Sequence, residues 1–305
     1  MRDIFVEAPI STVKRSCPLC LQVAKLQESH IIPRFVGKWI KETSATGFLR
    51  GAEKPVKRLQ DLPTLPLLCE KCEERFSAFE TYFANEIFYP FLEKKVRSFE
   101  YDGRLLSFLV SLGWRVLKAN QETVALEAPY HSPSLDKAEV DWRNFLGGKT
   151  TNIQPGESHL FFLEGNVEGT IPEKFDWYVE RTTDTTIGGD KNRIFAYTKF
   201  PMMVFVTSVY PTQLEGWHGT LVGEKGRISS PQNVEDEGFA SFLVSRANIV
   251  AQAISNSKSE LIEKRILEAV RKNPERVVGS QSLKTILAEK RRSNGENESS
   301  KSPTA

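Results

Sequence analysis

Cys17-Pro18-Leu19-Cys20 and Cys69-Glu70-Lys71-Cys72 hold all four cysteines of a 305-residue chain, and both stand in its first quarter. In a reducing compartment, two CxxC knuckles point to a tetrahedral structural zinc rather than to disulfides. Each knuckle lets two thiolates reach one metal while its backbone amides turn toward the sulfurs. Four unrelated thiols, or a single redox CxxC, are the alternatives. The redox reading wants a βαβ context, which Leu21-Gln22-Val23-Ala24 after the first pair does not supply.

Working outward, the apolar spacing of Phe79, Tyr82, Phe83, Ile87 and Phe88 predicts a helix from about Ser77, opened by the second CxxC and interrupted at Pro90. A second helix is expected from about Arg104 to Lys118, on the broad apolar face of Leu105, Leu106, Leu109, Leu112, Val116 and Leu117. From about Ser158 to Leu221 short aromatic and β-branched runs alternate with turn residues: His159-Leu-Phe-Phe-Leu, Phe175-Asp-Trp-Tyr-Val, Arg193-Ile-Phe-Ala-Tyr-Thr and Met202-Met-Val-Phe-Val-Thr-Ser-Val. These read as an antiparallel sheet punctuated by Gly188-Gly189-Asp190 and Pro201. A long helix is expected from about Phe239 to Arg271, stopped by Asn273-Pro274. Ser280 should cap a last helix through Arg292.

The fold class is therefore α+β. Residues 1–98 read as a zinc-bound module with its exit helix, residues 99–292 as an α+β domain of unknown role, and residues 293–305 as a disordered polar tail.

Forty-one Lys and Arg against 39 Asp and Glu leave a net charge of +2, with 40% hydrophobic and 10% aromatic residues. That balance excludes a wholly disordered chain and a histone-like basic one, but it allows a locally basic face. No apolar run suits a signal peptide or a membrane span, so a cytoplasmic protein with no membrane partner is expected. Between His30 and Cys69, Arg34, Lys38, Lys41, Arg50, Lys54, Lys57 and Arg58 face only Glu42, Glu53 and Asp61, with Phe35 and Trp39 interleaved. Such a stretch suits phosphate contacts, or is simply a solvated loop.

The first knuckle is followed by Glu28-Ser29-His30-Ile31-Ile32-Pro33, and the second begins Leu67-Leu68-Cys69 and continues to Glu73-Glu74. Over roughly Ser16 to Tyr82 this resembles the zinc-supported branch of the HNH, or ββα-metal, nuclease family. In that family a CxxC precedes a strand ending in Asp-His-x-x-Pro, and a second CxxC opens the helix of the ββα unit.

The resemblance implies a metal-dependent endonuclease acting on nucleic acid, with DNA the expected substrate. Cys17, Cys20, Cys69 and Cys72 would hold zinc, His30 would activate water, and Glu73 would help hold a catalytic magnesium or manganese. An imidazole and an oxygen-held divalent ion suit those tasks. The sequence departs from the family at Ser29, where a metal-binding Asp is usual, at Thr64, where Asn is usual, and at Glu73, where His or Asn is usual. Glu74 or Glu80 could supply a missing ligand. Glu73 could also be no more than an acid favourable to a first helical turn, and His30 a structural histidine or a zinc ligand. The alternative from another class is a zinc-stabilised nucleic-acid-binding or regulatory protein whose nuclease-like module has lost its chemistry. His131, His159 and His218 have no metal spacing and read as structural or exposed.

Overall fold

The first CxxC makes the turn between β1 (Lys14–Ser16) and β2 (Val23–His30), which pair antiparallel. Pro33 leads into α1 (Arg34–Glu42), followed by a short hairpin of β3 (Leu49–Arg50) and β4 (Arg58–Leu59). Strand β5 (Thr64–Cys69) then runs without a break into α2 (Glu70–Phe83). Strand β5 pairs antiparallel with β2, giving a three-stranded sheet in the order β1-β2-β5. This computed structural model describes residues 14–51, 58–151, 153, 156–164, 172–211, 213–256 and 260–299.

Helix α2 opens at the second CxxC, as its sequence suggests, but Pro90 does not end the helical run. A π turn over Ala84–Phe88 re-registers the chain, and α3 (Tyr89–Lys94) carries Pro90 in its first turn. The proline, which has no N–H to donate, falls directly after the π turn, where the Tyr89 N–H bonds five residues back to the Ala84 carbonyl and the α ladder is already interrupted. Strand β6 (Ser98–Tyr101) follows. Asp102 then caps α4 (Gly103–Glu127) by accepting the Arg104 N–H at 3.0 Å. Helix α5 (Ser132–Leu146) packs back along α4.

The middle of the chain forms β7 (Ser158–Phe162), α6 (Phe175–Arg181), β8 (Asp184–Asp190), β9 (Arg193–Phe200) and β10 (Met203–Tyr210). The four strands make an antiparallel sheet in the order β7-β10-β9-β8, as the run of short apolar segments predicts. The segment Phe175-Asp-Trp-Tyr-Val is helical instead of extended. Its buried residues Phe175 and Tyr178 stand three apart, a helical interval that aromatic content alone conceals. Gly188 and Gly189 lie inside β8 rather than in a turn. A Cβ on Gly188 would meet the Phe195 and Phe242 rings at 2.8 Å, so its glycine marks close packing rather than chain reversal.

The remaining elements are β11 (Trp217–His218), β12 (Gly226–Ser229), which pairs with β6, β13 (Asn233–Val234), which pairs with β11, and α7 (Glu237–Asn256). They are followed by α8 (Glu260–Lys272), α9 (Pro274–Val278) and α10 (Gln281–Ser299). The stretch read from the sequence as one long helix is helical over α7 and α8, and residues 257–259 between them lie outside the described set. Ser280 caps α10, its Oγ accepting the Leu283 N–H at 3.2 Å. That helix continues to Ser299, past the start of the expected tail at 293; extending an existing helix adds a backbone bond for each residue fixed. Residues 300–305 lie outside the described set. Among the described residues no helix is long and apolar enough to cross a membrane.

Both faces of the four-stranded sheet are buried, which is why β9 and β10 read as nearly unbroken apolar runs. Ile194, Ala196 and Phe200 face α4 in one cluster, while Phe195 and Tyr197 meet Phe239 and Phe242 of α7 in another. Gly113 lets α4 approach β10 closely, since a Cβ there would lie 3.0 Å from the Thr207 hydroxyl. The first cluster also runs on through Phe83 and Phe76 to Cys17 and Cys69. Phe83 stacks on Phe108 at 4.2 Å and meets Phe205 edge-on at 5.4 Å, so packing is continuous across the boundary expected at residue 98.

His159, 2% exposed, holds Thr220 Oγ1 at 2.9 Å through Nδ1 and has the Glu157 carboxylate 3.3 Å from Nε2. Burial pulls its pKa below the usual histidine value, although Glu157 opposes that pull. The neutral ring is therefore favoured in the fold, and stability is retained above the unfolded pKa near 6.5 and lost as pH falls through the lower folded value. Denaturant unfolding at a series of pH values should show this acid-side loss, flattened in His159→Gln; an unchanged slope in that variant would refute the assignment.

Candidate metal centre and the end of strand β2

Cys17 and Cys20 sit in the turn that enters β2, and Cys69 and Cys72 at the junction of β5 with α2, so the β2–β5 pairing brings the two knuckles together. Locally, the Leu21 N–H donates to the Cys17 carbonyl at 2.8 Å, with Leu21 at φ 64°, and the Cys17 N–H donates to the Gln22 carbonyl at 2.9 Å. The Cys69 N–H points at the Cys17 sulfur at 3.4 Å, an amide-to-sulfur contact from one knuckle to the other.

All four sulfurs lie within 4.8 Å of one another, and those of Cys20 and Cys69 are 3.7 Å apart. A tetrahedral ion with metal–sulfur bonds of about 2.3 Å sets sulfurs roughly 3.8 Å apart, so this donor set fits a metal ion such as zinc. Burial pushes the Cys69 and Cys72 thiols above their ordinary pKa. Burial raises Cys20 as well, but hydrogen bonds from the Gln22 backbone and neighbouring thiols outweigh it and leave that thiol lowered. A divalent cation supplies the positive charge that lets all four become thiolates. His30 is not among these ligands.

Cys69 lies across from Leu26, and four residues further along, at the other end of the pairing, β2 ends in Ser29-His30. Successive strand residues point to opposite faces, and the two side chains have different partners. Ser29, 1% exposed, donates from Oγ to Glu73 Oε1 on α2 and accepts the Leu68 N–H at 3.0 Å. Ser29 and Glu73, two of the positions where the chain departs from the HNH pattern, are thus joined. Thr64, the third, sits opposite His30 across the strands and donates to Glu28 at 2.9 Å. The His30 ring, 21% exposed, brings Nε2 to 3.4 Å from Asp61 Oδ2, which also takes Arg34 Nε at 3.1 Å. Among the described residues no hydrogen bond or ion pair joins His30 to Glu73.

A buried cation lies behind this strand end. Arg115 of α4, 2% exposed, donates from Nη1 to the His30 carbonyl at 2.8 Å and to Glu80 Oε1 at 2.7 Å. Glu80 is therefore engaged within the fold rather than available as a spare ligand. Sequence reading passed over Arg115 and Asp61. Arg115 had a visible signal, a charge inside an apolar stripe that must find partners. Asp61 had none, since only the folded insert carries it to His30.

The described part of the basic insert is a helix and a pair of short strands rather than a free loop. Arg34 pairs with Asp61, Lys38 with Glu42 at 3.8 Å, Lys41 donates to the Gln60 carbonyl at 2.7 Å, and Arg58 covers the Phe48 ring at 4.0 Å. Arg50 lies on β3, while Lys54 and Lys57 fall outside the described residues. Phe35 and Trp39, interleaved among these basic residues, pack edge-on against Phe88 of the core, Trp39 buried and Phe35 half-buried.

The carbonyl end of α1 is closed from far along the chain. Arg181 donates to the Ile40 carbonyl and Thr43 Oγ1, both at 2.8 Å, and Arg276 donates to the Lys41 carbonyl at 2.7 Å and the Ser44 carbonyl at 3.0 Å. Burial pulls the Arg181 guanidinium down to about 10, and it remains a cation at neutral pH. No family model, curated protein or solved structure matches the chain.

Proposed function

We propose that the chain is a zinc-supported, metal-dependent endonuclease of the HNH type that hydrolyses phosphodiester bonds of nucleic acid, DNA being the expected substrate. The observation that carries this reading is one of order and place. Strand β2 ends at Ser29-His30, its antiparallel partner β5 runs straight into α2, and the four sulfurs gather at that junction. Zinc there would hold strand and helix in fixed register, so that His30 is presented from a rigid edge.

In this reading His30 would take the proton from an attacking water, and Glu73, released from its hydrogen bond with Ser29, would be the carboxylate that helps hold magnesium or manganese. When bound, such an ion stabilises charge on the leaving oxygen. Arg34 and Lys38 keep 78% and 66% of their side chains exposed, and such surface ion pairs exchange for phosphate at small cost.

Nicking of supercoiled plasmid with magnesium or manganese tests the proposal. Wild type should cleave, and His30→Ala should lose at least ~100-fold in rate, the usual span of a general base, with its zinc content unchanged. No cleavage by wild type with either ion, or equal cleavage by the variant, would overturn the assignment.

The Ser29–Glu73 hydrogen bond favours a second reading. It joins two side chains on which the second ion would depend, so a nucleic-acid-binding or regulatory protein with a degenerate site is the rival. Salt-sensitive DNA binding without metal-dependent cleavage would select that rival.

A further inference from the structure

We infer that Asp61 is a positioning residue that fixes the tautomer of His30, holding the proton on Nε2 so that Nδ1 is the nitrogen that accepts a proton from water. The inference rests on the proposed role of His30 and adds the group that orients it. Nε2 is the buried nitrogen of the ring and has no hydrogen-bond partner of ordinary geometry, yet it stands 3.4 Å from Asp61 Oδ2. A carboxylate accepts and cannot donate, so the Nε2–H form is the one this neighbour favours. The separation is long for a hydrogen bond, as is common before substrate draws a catalytic pair together.

Asp61 is itself held from two sides. Its Oδ1 accepts the Leu62 N–H at 2.9 Å, and its Oδ2 takes the Arg34 side chain at 3.1 Å. The backbone of His30 is fixed as well, by Arg115 on its carbonyl and by the pairing with Thr64. With the histidine backbone held and the carboxylate fixed through the Leu62 amide, one oxygen decides which nitrogen carries the proton, the second-shell logic of imidazoles that act as bases.

These contacts make Asp61→Asn a nearly isosteric test. The Leu62 amide keeps the asparagine carbonyl on the Oδ1 side, so the NH2 group takes the place of Oδ2 and donates toward Nε2. Arg34, mostly exposed, can swing away. The proton should then move to Nδ1. Nitrogen-15 shifts of histidine-labelled protein, with the His30 signals identified by their loss in His30→Ala, read the tautomer directly at neutral pH.

The expected result is Nε2–H in wild type and Nδ1–H in Asp61→Asn. Plasmid cleavage by the variant should fall roughly 10- to 100-fold in kcat with KM little changed. A wild type already in the Nδ1–H form, a variant that keeps the wild-type tautomer, or a switched tautomer with unchanged kcat would each overturn the inference. Absence of cleavage by wild type would instead overturn the nuclease reading, while the nitrogen shifts still decide whether Asp61 sets the tautomer.

Discussion

Cys72→Ser should remove the metal and unfold the N-terminal sheet with it. Cys72 is 5% exposed, Cys69 7% and Cys17 0%, and all three belong to the main hydrophobic cluster rather than to a surface clip. A serine hydroxyl does not ionise to replace the thiolate. The remaining buried thiols would then keep their protons, and nothing would join the first knuckle to the start of α2. Structural zinc sites contribute about 10–16 kcal/mol of apparent binding energy, comparable with or larger than the roughly 5–15 kcal/mol that stabilises a typical domain. Wild type should carry one zinc per chain by elemental analysis and lose its thermal transition when treated with a strong chelator. The variant should carry none and show reduced helix and sheet signals without chelator. A variant as stable as wild type, or a wild type indifferent to chelation, would show that the four sulfurs pack without a metal.

Phe83→Ala should cost about 3–5 kcal/mol, the range for deleting a large aromatic side chain from a core. Phe83 is fully buried, and its ring lies between the helix opened by the cysteines and the strands of the central sheet, in contact with Phe108, Phe200 and Phe205. The cavity would open at the contact between the first hundred residues and the rest. Denaturant unfolding should therefore stay a single transition, shifted to lower concentration and followed alike by near-UV and far-UV signals, with zinc content preserved. Two separated transitions, only one of them shifted, would mean that the regions flanking residue 98 unfold independently.

Much of this architecture can be read from residue pattern. The cysteine knuckles, the start of α2, the apolar face of α4 and the short apolar runs of β7, β9 and β10 are local features whose pattern survives in the fold. What escaped reading was set by contacts distant in sequence. The segment at Phe175 is aromatic enough for a strand and was placed wrongly, because its burial has a helical interval. Trp39, interleaved with the basic residues of the insert, is buried on the inward face of α1, and Phe35 is half-buried against the same cluster. At the strand end, His30 and Glu73 were legible as candidates, but their partners Asp61 and Ser29 depend on which face of β2 each side chain takes. The boundary at 98 marks a change of sequence pattern and not a gap in packing, because aromatic rings from both sides fill one volume.

The two guanidinium groups that close α1 have a consequence for synthesis on the ribosome. Residues 34–44 emerge early, but the cations that complete them, Arg181 and Arg276, follow more than a hundred and more than two hundred positions later. Until then the Ile40 and Ser44 carbonyls have water or a chaperone to bond, and that of Lys41 has only the local Ser44 N–H. A nascent chain can gather its four sulfurs long before it can finish the segment between them, so an enzyme of the kind proposed would remain incomplete until most of the polypeptide had been made.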